Sequence, residues 1–467
     1  MAANPGGTLR ALLVSYVFPP TGGAGVGRVL KLAKYLPAHD VIPAVLTVKN
    51  PSVPLVDTSL EKEIAPDLEI LRARTFEPGY RVKQAAWTSS SASGSPPSAA
   101  TATSTHSSAP LPAARAGWKS QLSSRLMALG KQAMIPDPQL LWQPDAQRVL
   151  AQRLLGGKDD LVFITAPPFS SFLMAPLVRL RPGTAVVLDY RDEWQTLRTS
   201  YEMIAGRITA GIGALMETAL LRTAAAVTTA TEAFRQQLLD RFSFLSPERV
   251  VAIPNGYDPA DFPARLPEPP TDRLVVTYAG TIFKLTSAQG LIGAVRKLHA
   301  RAPELARLLE VRFVGRIVDT ELPWFEDTER LGIVRVGYVD KDRVIPMLSA
   351  SHIALCLLDD VAGVERIYPA KIFELMYLGR PCLTLSPPGA LTQLVERQHM
   401  GAVFAPRDEE AIASFLETQL RAFRDGTLSI RSAAIDVQRY DRRVQAGEFA
   451  TVFRQAVATA RGGRAAR

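Results

Sequence analysis

At 467 residues the chain exceeds the ~150 residues of a typical single domain about threefold, so two domains are expected. Hydrophobic residues make up 47% and charged residues 21%, with Gly 31 and Pro 35, which excludes collagen-like, wholly disordered and coiled-coil chains. The formal net charge of +9 is concentrated at the end: Gln438 to Arg467 holds seven arginines against Asp441 and Glu448, a local +5 that leaves +4 for the rest.

The two cysteines, Cys356 and Cys382, form no C-x-x-C pair, which excludes a disulfide framework and a cysteine-rich zinc site and fits a reducing cytoplasm. His39, His106, His299, His352 and His399 are scattered, so no metal centre is expected. The apolar run Ala11 to Phe18 is shorter than a spanning helix of ~20 residues and lacks a cleavage site. The basic tail suits either an anionic membrane leaflet or a solvated helix end.

In chain order, ALLVSYVF (from Ala11) predicts a buried strand and PPTGGAGVGR a glycine loop. Val26, Val29, Leu30 and Ala33 then share one face of a helix. VIPAVLTV (Val41 to Val48) and EILRAR predict two more strands. Residues 88–114 carry no Asp, Glu, Lys or Arg and are mostly Ser, Ala, Thr and Pro, so a disordered insertion is expected there. Helical patterns follow near Trp118 to Gln132 and Asp145 to Leu155. Strands return at LVFITA (Leu161 to Ala166), AVVLDY (Ala185 to Tyr190), AVTTA (Ala226 to Ala230) and RVVAIPNG (Arg249 to Gly256). After a proline-rich passage the alternation restarts with LVVTYAG, VRFVG, VRVGYV, IALCLL and PCLTLS. Such alternation implies parallel sheets covered on both faces. The expected organisation is an amino-terminal Rossmann-like domain over 1–256, a connector over 257–272, a second Rossmann-like domain over 273–437, and a helix with a basic tail over 438–467 that packs back through Phe449 and Phe453.

In doubly wound sheets ligands sit outside the carboxyl ends of the strands, so the loops there are the candidate sites. Gly22 and Gly23, with Arg28 closing the loop, allow close backbone approach to a phosphate or sugar, a plain tight turn being the alternative; neither a dinucleotide fingerprint nor a P-loop is present. LDYRDEW places Arg191 and Asp192 at a strand end, where Asp192 could orient or deprotonate a hydroxyl or simply pair with Arg191. IPNGYD reads as a hinge. Gly280, Thr281 and Lys284 follow one strand and Gly315 and Arg316 another, while YPAKIFELMYLGRP puts Lys371 and Glu374 on one helical face. A lysine at a helix start suits a bound anion, such as a diphosphate; a solvent-facing Lys/Glu pair is the plainer alternative.

These motifs, with APPFSS at Ala166 to Ser171, resemble those of the GT-B glycosyltransferases, and more narrowly of glycosyltransferase family 4. The resemblance implies two Rossmann-like domains facing a central cleft. It implies transfer of a sugar from a nucleotide-diphosphate donor to an acceptor, usually with retention at the anomeric carbon and without an essential metal or other cofactor. The amino half would take the acceptor, with Asp192 in its cleft, and the carboxyl half the donor, with Glu374 matching the glutamate that binds ribose. Two departures stand out. The earlier glutamate of many relatives is Arg366 here, with Glu365 beside it, and the arginine often found after YAG is Thr281, leaving Lys284, Arg316 or Lys371 for phosphate. The expected product is a surface polysaccharide or glycolipid built on a lipid-linked acceptor at the cytoplasmic membrane face, with no nucleic-acid partner. A nucleotide-sugar epimerase and a catalytically silent nucleotide-sugar- or partner-binding subunit are the alternatives.

Overall fold

Long apolar runs without polar alternation must be buried on both faces, and the chain answers with two all-parallel sheets. The computed structural model describes residues 7–23, 25–53, 56–79, 135–194 and 207–465. The expected insertion at 88–114 and the helical pattern near Trp118 to Gln132 lie outside the described residues.

The front sheet comprises β1 (Leu9–Val14), β2 (Val41–Val48), β3 (Glu69–Ala73), β4 (Leu161–Ala166), β5 (Ala185–Tyr190), β6 (Ala226–Thr229) and β7 (Val250–Ala252) in the order β3-β2-β1-β4-β5-β6-β7. The rear sheet comprises β8 (Leu274–Ala279), β9 (Leu309–Val314), β10 (Ile333–Gly337), β11 (Ile353–Leu357), β12 (Cys382–Leu385) and β13 (Gly401–Phe404) in the order β10-β9-β8-β11-β12-β13. Each order reverses once, between β1 and β4 and between β8 and β11, and these reversals open crevices at the carboxyl ends of the strands. The α/β architecture of two doubly wound lobes is thus present.

Around the front sheet lie α1 (Gly27–Tyr35), α2 (Gln143–Leu155), α3 (Ala175–Arg179), α4 (Arg207–Leu221) and α5 (Glu232–Arg241). Around the rear sheet lie α6 (Gln289–Arg301), α7 (Pro303–Ala306), α8 (Lys341–Ser349), α9 (Lys371–Leu378), α10 (Ala390–Arg397) and α11 (Glu409–Arg424). The chain ends in α12 (Arg442–Ala465). The predicted face of α1 is buried at Val29, Leu30 and Ala33, with Val26 just before it. β1 stops at Val14, earlier than the apolar run, and β7 is shorter than RVVAIPNG because Pro254 and Gly256 turn the chain away.

Although α12 follows the rear lobe in sequence, it packs on the front one. Phe449 and Phe453 are buried, with ring centroids 5.6 and 5.5 Å from Phe163 of β4. Burying each such ring contributes roughly 1.5–3 kcal/mol. Charged groups anchor the same region. The Lys31 ammonium lies 2.6 Å from both Asp258 and Asp261 and also meets Glu63, so the three carboxylates that could have held a cation surround a lysine. Burial pushes the Asp258 carboxyl up, but Lys31 more than reverses this and holds it well below the usual carboxylate range.

Candidate functional site

The front wall of the cleft is formed by loops at the carboxyl ends of β1, β4 and β5. Gly22 and Gly23 lie in the first; Gly23 adopts φ +97°, a left-handed conformation that favours glycine. The Arg191 guanidinium holds the three loops together, donating to the carbonyls of Gly25 and Pro167 and, through Nε at 3.3 Å, to that of Ala166. A Cβ on Gly25 would lie 2.7 Å from Arg191 Nη1, so the glycine makes room for this clamp.

Two of the expected site residues are engaged within the protein. Arg191 donates to backbone carbonyls. Arg28 is 1% exposed and forms a two-point ion pair with Asp189, Nη2–Oδ1 2.7 Å and Nε–Oδ2 3.0 Å, while also donating to the carbonyls of Ile253 and Pro254. Asp189 accepts further from Thr165 Oγ1 at 2.7 Å and Thr228 Oγ1 at 2.6 Å. A buried carboxylate and guanidinium so fully satisfied form a structural tie between α1, β4, β5, β6 and the hinge.

Asp192 differs. It is half-buried and accepts no hydrogen bond among the described residues; burial raises its pKa, Arg191 opposes that and Glu193 adds to it. A carboxyl in this condition can accept from or orient a hydroxyl brought into the cleft. Asp137 shares the front lobe's carboxyl edge. Its Oδ2 accepts from the Ser170 amide at 2.9 Å, Oδ1 is unpartnered, and burial raises its pKa to about 6. No local sequence signal marked Asp137, because the group it meets lies 33 residues on.

In the rear wall, the β8–β9 ladder runs on past both strands. Gly280 N bonds Val314 O at 2.9 Å and Ile282 N bonds Arg316 O at 2.8 Å, so the loops bearing Thr281 and Lys284 and that bearing Arg316 lie side by side. Gly315 adopts φ +134°, and a Cβ there would come 2.1 Å from Gly280 O, which forces glycine at this approach. Lys284 is exposed in a short turn, and Thr281 O accepts from Thr286 Oγ1 at 2.7 Å. A pocket lined by Tyr278, Gly280, Pro369 and Lys371 opens between the ends of β8 and β11 and the start of α9. At its edge Lys371 Nζ lies 2.9 Å from Glu374 Oε2. Gly280 and Lys371 are therefore brought together, with Thr281, Lys284 and Arg316 on the same sheet edge.

The lobes meet through Arg366. Its guanidinium grips Glu193, with Nη2–Oε2 at 2.9 Å, and also contacts Glu365, while its carbonyl accepts from Thr231 Oγ1 at 2.7 Å. Arg366, expected to contact substrate, here ties the lobes across the cleft. Nothing in the local sequence singles out Glu193 within LDYRDEW.

Comparison with known proteins agrees with this arrangement. Residues 28–256 match the family described as "Glycosyl transferase 4-like domain", and residues 273–421 match "Glycosyl transferases group 1". No curated protein sequence matches the chain. Among solved structures, sucrose-phosphate synthase from Thermosynechococcus elongatus is 15% identical at a TM-score of 0.59, covering 96% of this chain and 98% of its own. A lipopolysaccharide outer core galactosyltransferase in its apo form is 11% identical at 0.51, covering 95% and 98%. An E. coli trehalose-6-phosphate structure bound with UDP-2-fluoro glucose is 12% identical at 0.51, covering 98% of each. These likenesses share the two-lobed fold. The chain belongs to the GT-B glycosyltransferases, with a glycosyl transferase 4-like domain followed by a group 1 domain.

Proposed function

We propose that the chain transfers a hexose, with retention, from a nucleotide-diphosphate sugar to a lipid-linked glycan acceptor in surface polysaccharide or glycolipid assembly. The observation that carries the reading is the pocket joining Gly280, Pro369 and Lys371 at the switch point between β8 and β11. Lys371 and the neighbouring Lys284 and Arg316 supply positive charge there, and the Gly280 backbone permits close approach. Glu374 accepts from the ribose hydroxyls, and Lys371 exchanges its intramolecular partner for phosphate.

In the transfer the anomeric C–O bond breaks with its electron pair on the diphosphate oxygen. The acceptor oxygen bonds the anomeric carbon, and the hydroxyl proton ends on the released diphosphate. Fixed cations stabilise the growing charge more than the intact donor, which lowers the barrier. They fill the neutralising role without a metal or other cofactor. Asp192, from the opposite wall, orients the acceptor hydroxyl. Closure of the lobes excludes water and limits donor hydrolysis.

Among the described residues no helix is long and apolar enough to cross a membrane. Work at the inner face of the cytoplasmic membrane therefore calls on peripheral contact, for which the basic tail is suited. Calorimetric titration with UDP, GDP and ADP tests the donor reading: binding of at least one is expected, and binding of none contradicts it.

A further inference from the structure

The crossover between the lobes carries an arginine whose side chain forms no ion pair among the described residues. Arg442 opens α12, and its amide donates to Tyr257 O at 2.9 Å. The backbone here is fixed from both sides. The Tyr440 ring centroid lies 4.9 Å from that of Phe373 in α9, Tyr257 stacks on Tyr377 at 4.2 Å, and Gln445 Nε2 donates to Asn255 O at 3.1 Å. A Cβ on Gly256 would fall 2.1 Å from Tyr440 O, so the hinge glycine exists to admit this crossover.

The cations around Arg442 all have partners. Arg443 lies 2.9 Å from Asp441, Arg28 is held by Asp189, and Lys371 by Glu374. The Arg442 guanidinium is half-buried yet makes no hydrogen bond and no ion pair among the described residues. Burial and the charge of Arg28 push its pKa down to about 10, against the weaker pull of Glu374, Asp261 and Asp258. A partly desolvated guanidinium with its donors unused is costly unless an anion joins it, and its planar fork matches two phosphoryl oxygens.

We infer that Arg442 binds a phosphoryl group of the nucleoside-diphosphate donor, an inference that rests on the donor reading proposed above. Glu374 of the rear lobe and Arg28, which closes the glycine loop of the front lobe, are both within electrostatic reach of the side chain. A diphosphate bound between the two would meet it. The rear lobe has Thr281 rather than arginine after YAG, and the crossover helix supplies the missing guanidinium from a different element.

The test is calorimetry on the full-length chain, comparing wild type, Arg442→Gln and the control Arg443→Gln with UDP, GDP and ADP, alongside thermal melting. Arg442→Gln is expected to weaken whichever nucleoside diphosphate the wild type binds by about tenfold or more. Its melting temperature should hold or rise, because a charge without a partner is removed, and Arg443→Gln should bind as the wild type does. Equal affinity in Arg442→Gln and wild type overturns the inference alone, whereas no binding by the wild type overturns the donor reading with it. A marked fall in the melting temperature of Arg442→Gln makes the residue structural and also overturns the inference. Unchanged diphosphate affinity with a raised KM for a lipid-diphosphate acceptor moves Arg442 to the acceptor's phosphate and overturns the donor assignment.

Discussion

Arg366 of the rear lobe and Glu193 of the front lobe form an ion pair across the cleft, Nη2–Oε2 2.9 Å, at a position where the family resemblance leads one to expect a donor-site glutamate. Glu193 is buried, so removing its partner leaves a desolvated carboxylate, while Thr231 still holds the Arg366 carbonyl. Arg366→Ala should therefore cost about 1.5–3 kcal/mol in stability and spread the lobes. Small-angle scattering should show a larger radius of gyration than wild type. An unchanged radius and an unchanged melting temperature would remove the tie from the account.

Lys371 is expected to exchange Glu374 for a phosphate when the donor arrives. Lys371→Ala should weaken nucleoside-diphosphate binding by about tenfold, the scale of one charged hydrogen bond, with the fold intact by circular dichroism. Unaltered affinity would take Lys371 out of the donor site.

For Asp192 the expected effect is on turnover. Asp192→Asn should lower kcat by about 10² or more while leaving nucleoside-diphosphate affinity within a factor of about two, since a group that orients or deprotonates a hydroxyl acts on the acceptor side. Loss of nucleotide affinity with turnover intact would contradict that placement.

The Glu217 carboxyl makes stability fall with rising pH. Burial lifts its pKa from 4.5 to about 7, and Arg241 at 2.7 Å offsets only part of that. Between those values the folded chain keeps a proton that the unfolded chain has released. Stability from this group is therefore full below about pH 4.5, declines toward pH 7 and is flat beyond. Comparing melts of wild type and Glu217→Gln from pH 4.5 to 8 should reveal a difference that changes by about 3 kcal/mol. A pH-independent difference would show that Glu217 does not titrate in this window.

Phe453 tests the return of α12 to the front lobe. Phe453→Ala removes a fully buried ring from against Phe163 and should cost about 3–5 kcal/mol by denaturant unfolding. A cost below about 1 kcal/mol would mean that the helix is dispensable to the lobe.

The strands were legible in the sequence where both faces are covered. Leu161 to Ala166 and Ala185 to Tyr190 each open on four consecutive apolar residues and appear as β4 and β5 with the same bounds. β13 escaped because Gly401 to Phe404 is four residues long, starts on glycine and is partly exposed. The candidate site was legible only as a set of loops. Whether a charged side chain in such a loop faces a ligand or a partner depends on contacts distant in sequence. Arg28 meets Asp189 161 residues away, and Arg366 meets Glu193 173 residues away; no local spacing encodes either. Arg442 was hidden in the charge of the tail, since its isolation appears only once Arg443 is seen to take Asp441.

Sugar transfer from a nucleotide donor can be followed by incubating the chain with a panel of nucleotide sugars and a lipid-diphosphate acceptor extract and reading the products by mass. An acceptor heavier by one hexose residue, with equimolar release of nucleoside diphosphate, is expected from at least one donor. Release of free sugar or an isomerised nucleotide sugar, with no acceptor gaining mass, would contradict sugar transfer.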